Sequence, residues 1–226
     1  MAAVREQVQE RWTTAGLIKS NLPADVIEQE KTRTAATVGE AAPLGLFGFA
    51  SATFTLSAVN AGWFPAATAI FAIPLVLVFG GIAQFIAGMW SYRKGDTFSA
   101  TAFGSFGAFN TTYALFILLN HAGLIVGPSA GMGVIGVFIA CFSLIAFILM
   151  LAALRINMAL VGVLFFLALT YGLLGAGEIA GAAPNLLSYG GWAGIISAVL
   201  AFYTAGAMVL NSVNGRAVVP LFPPRS

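Results

Sequence analysis

His121 is the only histidine and Cys141 the only cysteine in this chain of 226 residues. Catalytic dyads and metal centres need such groups in convergent sets. Neither residue has a neighbour of its own kind, so we expect no enzyme, no metal site and no cofactor. Cys141 lies among aliphatic residues and reads as packing. Glu178 is the one acid between Arg155 and Arg216. An acid in so apolar a stretch is either a protonation site or a solvated loop-edge residue. His121 is the other candidate for protonation, or else an interfacial residue.

The remaining polar side chains are neutral and lie beside aromatics. Gln84 is one. Ser105, Asn110, Thr111 and Thr112 form a second group, Thr53 and Thr55 a third, and Thr170 stands alone. Neutral donors can bind a carboxylate and still release it, as passage through a pore requires. A phenylalanine or leucine ring between such sites would make a dry constriction that gates by dewetting. The same side chains could instead hold helices together.

Composition says what must position them. The chain is 59% hydrophobic and 8% charged, whereas a soluble domain is about 25% charged. Eleven of its eighteen charges fall in residues 1–40. Uncharged blocks cover 41–92, 97–154, 156–177 and 179–215. A membrane helix needs about 20 apolar residues, so the first two blocks hold two spans each and the others one. The predicted fold is all-α: six transmembrane helices at about 43–64, 66–90, 98–120, 131–154, 157–177 and 191–213. Residues 1–40 form a separate N-terminal tail, 41–215 the membrane domain and 216–226 a C-terminal tail. Val4, Val8 and Trp12 hint at a short amphipathic helix in a tail that otherwise reads as disordered.

Arg93 and Lys94 follow span two, Arg155 follows span four, and Arg216 and Arg225 follow span six. The other loops carry no Lys or Arg. Positive residues collect on the cytoplasmic side, so both termini are expected there, in a plasma or inner membrane. Trp63 and Trp192 fit as outer interfacial anchors and Trp90 as an inner one. A net charge of +2 with no basic stripe argues against nucleic acid. No apolar segment heads the chain, so no cleavable signal peptide is expected, and no phosphate-binding loop motif is found.

The odd-numbered spans resemble one another around Phe49, Phe106 and Leu167. Their spacing suggests three helical hairpins about a pseudo-threefold axis lined by a pore. Gly190, Gly194 and Ala198 form one small-residue line in span six, Ser197, Ala201 and Ala205 another. Span two adds Ala83 and Ala87. These are packing faces, between hairpins or between subunits.

At Pro43-Leu44-Gly45-Leu46-Phe47-Gly48-Phe49 the chain resembles the acetate uptake transporter family. That family includes bacterial acetate–succinate transporters and fungal acetate permeases. The resemblance continues through Phe79-Gly80-Gly81-Ile82-Ala83-Gln84, 92–98 and Thr101-Ala102-Phe103-Gly104-Ser105-Phe106-Gly107. It resumes at 177–181 and at Gly191-Trp192, covering roughly 40–217. It implies a hexamer of six-helix subunits, each with its own pore. It also implies a hydrophobic constriction at Phe49, Phe106 and Leu167. Two departures stand out. Glu40-Ala41-Ala42-Pro43 replaces the usual Asn-Pro-Ala-Pro, and Phe106 stands where relatives often have tyrosine.

The resulting expectation is a channel or transporter for small monocarboxylates, acetate first and succinate second. Candidate pore residues are Phe49, Phe106, Leu167, Gln84, Asn110, Thr111, Ser105 and Thr55, with Glu178 and His121 for protonation. The partners are small carboxylates, the bilayer and further copies of the chain, with no nucleic acid. The rivals are a channel for a neutral or ammonium-type solute and a non-transporting membrane scaffold. The lone His121 speaks against the ammonium class, which commonly relies on paired histidines.

Overall fold

Short sequence signals set where each helix starts and turns. Pro43 lies in the first turn of α1 (Ala42–Asn60), where its missing N–H leaves no bond unmade. The second span, α2 (Ala66–Lys94), stops at Gly95, whose φ of 76° is the left-handed cap that glycine adopts without strain. Asp96 follows at once. Its carboxylate accepts from the Ser99 backbone N–H at 3.0 Å and caps α3 (Thr97–His121). After α4 (Gly131–Ala153), Asn157 caps α5 (Met158–Ile179) through the Leu160 N–H at 2.9 Å. Pro184 opens α6 (Pro184–Asn214), and Gly215 closes it at a φ of 62°.

The computed structural model describes residues 39–125 and 131–224, together with Pro23 and Val26. Two units separate, Met1–Gly39 and Glu40–Ser226. The amphipathic pattern at Val4, Val8 and Trp12 lies outside the described residues. The second unit is all-α among the described residues. Its six helices are each long and apolar enough to cross a membrane, and the chain is a multi-pass membrane protein.

Three boundaries shift by four residues or more from the sequence expectation: α1 ends at Asn60 instead of 64, α2 runs to Lys94 instead of 90, and α6 begins early. The sixth helix starts at Pro184, ahead of the expected 191, with the proline in its first turn, where a missing N–H leaves no bond unmade. The second span is irregular. It enters as a 3-10 helix over Ala66–Ala72, passes through a π-helical stretch at Val76–Ala83 and becomes regular at Gln84. Hydropathy is the same for all these geometries, so composition carried no sign of the change. A Cβ on Gly48 would strike the Phe79 carbonyl oxygen, which shows how closely α1 approaches the π-helical stretch. Such stretches concentrate at functional sites.

The helices pack in the cyclic order α4, α5, α6, α1, α2, α3. Each odd helix lies closely against the even helix that precedes it around this circle. Gly191 of α6 meets the backbone at Asn60 and Ala61, Gly107 of α3 meets Phe85 of α2, and Gly175 of α5 meets Gly136 and Ala140 of α4. Small residues permit such approach in lipid. The small-residue face of α6 therefore packs within the subunit: Gly190 against Leu174 and Gly194 against Ser57. By contrast, α3 and α4 make few backbone contacts. Aromatic rings fill that gap. Phe109 stacks on Phe138 at 5.1 Å between centroids and meets Phe142 at 4.7 Å.

Arg93, Lys94, Arg155 and Arg216 mark one end of the bundle, called here the basic end. There Glu40 pairs with Lys94 at 2.9 Å and tethers the start of α1 to the end of α2. The C-terminal tail folds back at the same end. Asn211 Oδ1 accepts from the Val218 and Val219 N–H groups at 2.7 and 2.8 Å. The Phe222 carbonyl accepts from Met158 N–H at 3.0 Å, at the first residue of α5. Trp63 and Trp192 lie exposed at the far end, 5.8 Å apart edge to face. Exposed Trp90 lies at the basic end under Arg93, 5.6 Å away.

Candidate functional site

Helical phase decides which side chains of α1, α3 and α5 meet. At about 100° per residue, Phe49 and Thr53 differ by about 40° and so share a face of α1. Phe106 and Asn110 share one on α3, as do Leu167 and Tyr171 on α5. These three faces converge. Phe49, Phe106 and Leu167 are each at most 3% exposed, and the Phe49 and Phe106 rings lie 6.3 Å apart. Phe106 also meets Tyr171 at 6.2 Å.

One cavity is lined by this ring, and a second begins a helical turn beyond it. The one toward the basic end is lined by Leu46, Phe98, Phe103, Leu164 and other apolar residues, by the ring itself and by Gln84. The one toward the far end begins a turn further along each odd helix. Its wall carries Thr53, Ser57 and Asn60 from α1, Asn110 and Tyr113 from α3, and Thr170, Tyr171 and Glu178 from α5. The layer of three large side chains thus belongs to the apolar chamber, and the chamber with polar wall residues lies one turn further along the odd helices.

The polar residues divide by whether their helical phase faces these chambers. Gln84 is fully buried and lines the apolar cavity. Asn110 is 4% exposed and lines the polar one. The two side chains bond to each other: Asn110 Nδ2 donates to Gln84 Oε1 at 3.3 Å and to the Gly80 carbonyl at 2.9 Å. That carbonyl belongs to the π-helical stretch of α2. Glu178 is half-buried on the polar cavity wall, not free in a loop.

Thr55, Thr111 and Ser105 stand apart from both linings. The Thr55 hydroxyl donates to the Ser51 carbonyl at 2.8 Å, and the Thr111 hydroxyl to that of Gly107 at 2.9 Å. Each hydroxyl is satisfied by its own helix. Thr55 is about 240° around α1 from Phe49 and Thr111 about 140° around α3 from Phe106. Thr111 instead faces Gly81 of α2. Ser105, half-buried, precedes Phe106 and points about 100° away from it. His121 is exposed at the end of α3.

Sequence reasoning missed Tyr113, Tyr171, Ser57 and Asn60 as cavity residues. Stepping each odd helix by three and four from its ring residue would have reached the two tyrosines, because Tyr113 is seven positions beyond Phe106 and Tyr171 four beyond Leu167. Among the described residues no three His, Cys, Asp or Glu side chains cluster as metal ligands would.

Comparison with known proteins places these features in context. The profile of the GPR1/FUN34/yaaH family matches residues 25–224. The chain is 37% identical over 180 residues to the succinate-acetate/proton symporter SatP of Escherichia coli K12, covering 80% of this chain and 93% of that one. It is 32% identical over 192 residues to acetate permease A of Emericella nidulans, covering 80% of this chain and 64% of the permease. The solved structure of the bacterial acetate channel SatP superposes with a TM-score of 0.75 at 34% identity, over 81% of this chain and 99% of that one.

Proposed function

The chain belongs to the GPR1/FUN34/yaaH family, and on that premise we propose that it carries small carboxylates across the membrane, acetate first and the diacid succinate second. The observation that carries this reading is the buried ring of Phe49, Phe106 and Leu167, which lines an apolar cavity one helical turn short of a cavity with polar wall residues. An anion loses hydration in such a ring, and bare charge in an apolar setting is very costly. The ring is then the main barrier, wetted only transiently. Gln84 lies beside the ring, and Asn110, whose amide nitrogen bonds the Gly80 carbonyl and Gln84 Oε1, braces it. Thr111, Ser105 and Thr55 serve helix packing. Glu178 sets the charge of the far mouth, and His121 lies beyond the path.

The relatives carry the names of a symporter, a permease and a channel, and we assign this chain transport without catalysis. The far end faces the outside and the basic end the cytoplasm, where both termini lie. The subunits assemble as a hexamer, each with its own path. Flux of labelled acetate into proteoliposomes tests the reading. Uptake above that of empty vesicles, reduced by unlabelled acetate and unaffected by ammonium or urea, is the expected result. No flux would point to a scaffold, and competition by ammonium or urea to the neutral-solute channel.

A further inference from the structure

The three odd helices all start at the basic end, and each start is held in its own way. Glu40 holds α1: its carboxylate accepts from the Ala42 N–H at 3.4 Å and pairs with Lys94. Asp96 holds α3 from the adjoining turn. The start of α5 is held by a segment remote in sequence, where the Phe222 carbonyl accepts from the Met158 N–H at 3.0 Å. The first N–H groups of a helix have no partner within it. In α5 two of them are satisfied from outside, Met158 by Phe222 and Leu160 by Asn157.

The segment that carries Phe222 is anchored on α6. Asn211 makes three bonds to it: Oδ1 accepts from the Val218 and Val219 N–H groups, and Nδ2 donates to the Val219 carbonyl at 2.9 Å. The Tyr203 hydroxyl donates to the Pro220 carbonyl at 2.6 Å. Residues 218–222 thus form a strap from the end of α6 to the start of α5. Its hold is polar. A groove lined by Ile156, Asn157, Leu221 and Pro223 stays open along it, and the Phe222 side chain is 55% exposed. Phe222 also has a φ of 54°, which bulky residues rarely adopt. Such a backbone persists where its surroundings impose it. Here the Asn211 bonds on one side and the Met158 bond on the other do so.

Leu160, Leu164 and Leu167 lie within about 60° of one another around α5, and all three line the apolar cavity. The strap acts at the first of these three, which run along the wall to the ring. We infer that Asn211 is a positioning residue for the substrate path: through the strap it fixes the first turn of α5, keeps Leu160 in the cavity wall and so restrains the passage of longer acids. The restraint on longer acids rests on the transport reading above, whereas the hold on α5 does not. Without the Asn211 bonds the strap loses its anchor, the Met158 N–H loses its acceptor and the first turn of α5 frays. Leu160 then leaves the wall, and the space it opens is apolar, which suits a longer alkyl chain.

Two measurements on the full chain in proteoliposomes test this, amide hydrogen exchange for the hold on α5 and labelled-acid flux for selectivity. Asn211→Leu should speed exchange over 158–161 about tenfold and leave the start of α3 unchanged. It should also raise the butyrate-to-acetate flux ratio severalfold. A loss of stability alone does not move that ratio, since both fluxes are carried by the same folded molecules. Tyr203→Phe removes one bond of the strap and should move both readouts in the same direction by less. Asn211→Asp keeps both accepted N–H bonds and should stay near wild type. Unchanged exchange over 158–161 in folded Asn211→Leu protein would overturn the hold on α5. Faster exchange with an unchanged flux ratio would overturn the role in selectivity. If Asn211→Leu does not fold, Tyr203→Phe decides by the same two readouts. Absence of acetate and butyrate flux in wild-type protein would remove the transport reading and the selectivity role with it, while exchange still decides the hold on α5.

Discussion

The rings of Phe49 and Phe106, from α1 and α3, meet at 6.3 Å between centroids with a 40° tilt. Both are 3% exposed. Neither ring contributes a hydrogen bond, so their contact narrows the apolar cavity by bulk and dryness alone.

Truncating that contact should change what passes. Phe106→Ala is expected to raise entry of butyrate relative to acetate severalfold, because a wider passage wets more readily. The lost core contacts should also cost about 3–5 kcal/mol of stability, judged from soluble proteins. Flux per reconstituted protein, with thermal unfolding in detergent, reads both. Unchanged selectivity in folded Phe49→Ala, Phe106→Ala and Leu167→Ala proteins would make the ring mere packing.

Glu178 should repel carboxylates when ionised, since it lines the polar cavity. Its ionisation grows with pH, so wild-type uptake should fall more steeply as pH rises than that of Glu178→Gln. The advantage of the variant should be largest at high pH and shrink as pH falls, because the protonated glutamate resembles glutamine. Parallel pH profiles for the two proteins would show that this carboxylate does not gate entry.

Close approach of α2 and α3 depends on Gly107, where an added Cβ would lie 2.6 Å from the Phe85 backbone nitrogen. Gly107→Ala should lower the unfolding temperature by several degrees, the scale expected for overpacking of about 1–3 kcal/mol. At Gly206 of α6 an added Cβ meets nothing within 4 Å, so Gly206→Ala should be neutral or slightly stabilising. Equal melting temperatures for the two variants would contradict the described interface.

Orientation can be read with a thiol reagent that does not cross membranes. On a Cys141→Ser background, Ala122→Cys should be labelled on intact cells and Thr97→Cys only after lysis, since both positions are exposed at opposite ends. The reverse pattern would invert the assignment drawn from Arg93, Lys94 and Arg155.

Residue type made the spans legible and left their internal geometry hidden. Four uncharged blocks and the Gly95–Asp96 turn located the helices, because bilayer thickness and capping chemistry act on composition directly. The π-helical stretch at Val76–Ala83 left no such mark, since it depends on how closely Gly48 and Ala52 approach α2. Phe49, Phe106 and Asn110, singled out by repeats and polarity, line the cavities. Thr55 and Thr111 lie outside both linings, because a hydroxyl says nothing about the side of the helix on which it lies. Tyr113 and Tyr171 were passed over because, read one residue at a time, a tyrosine resembles packing.

The closure of α6 onto α1 bears on how the protein is made. The Gly191 and Gly194 contacts join the last helix to the first, so α1 emerges from the ribosome without the surface it will finally pack against. Until α6 enters the bilayer, the Asn60–Ala61 end and the Ser57 face of α1 stay open to lipid or to a chaperone. Early inserted spans must therefore wait, and assembly is completed from the C-terminal side. Contacts so distant in sequence make for slow closure, and a chain truncated within α6 would strand a complete set of earlier helices in an unclosed arc.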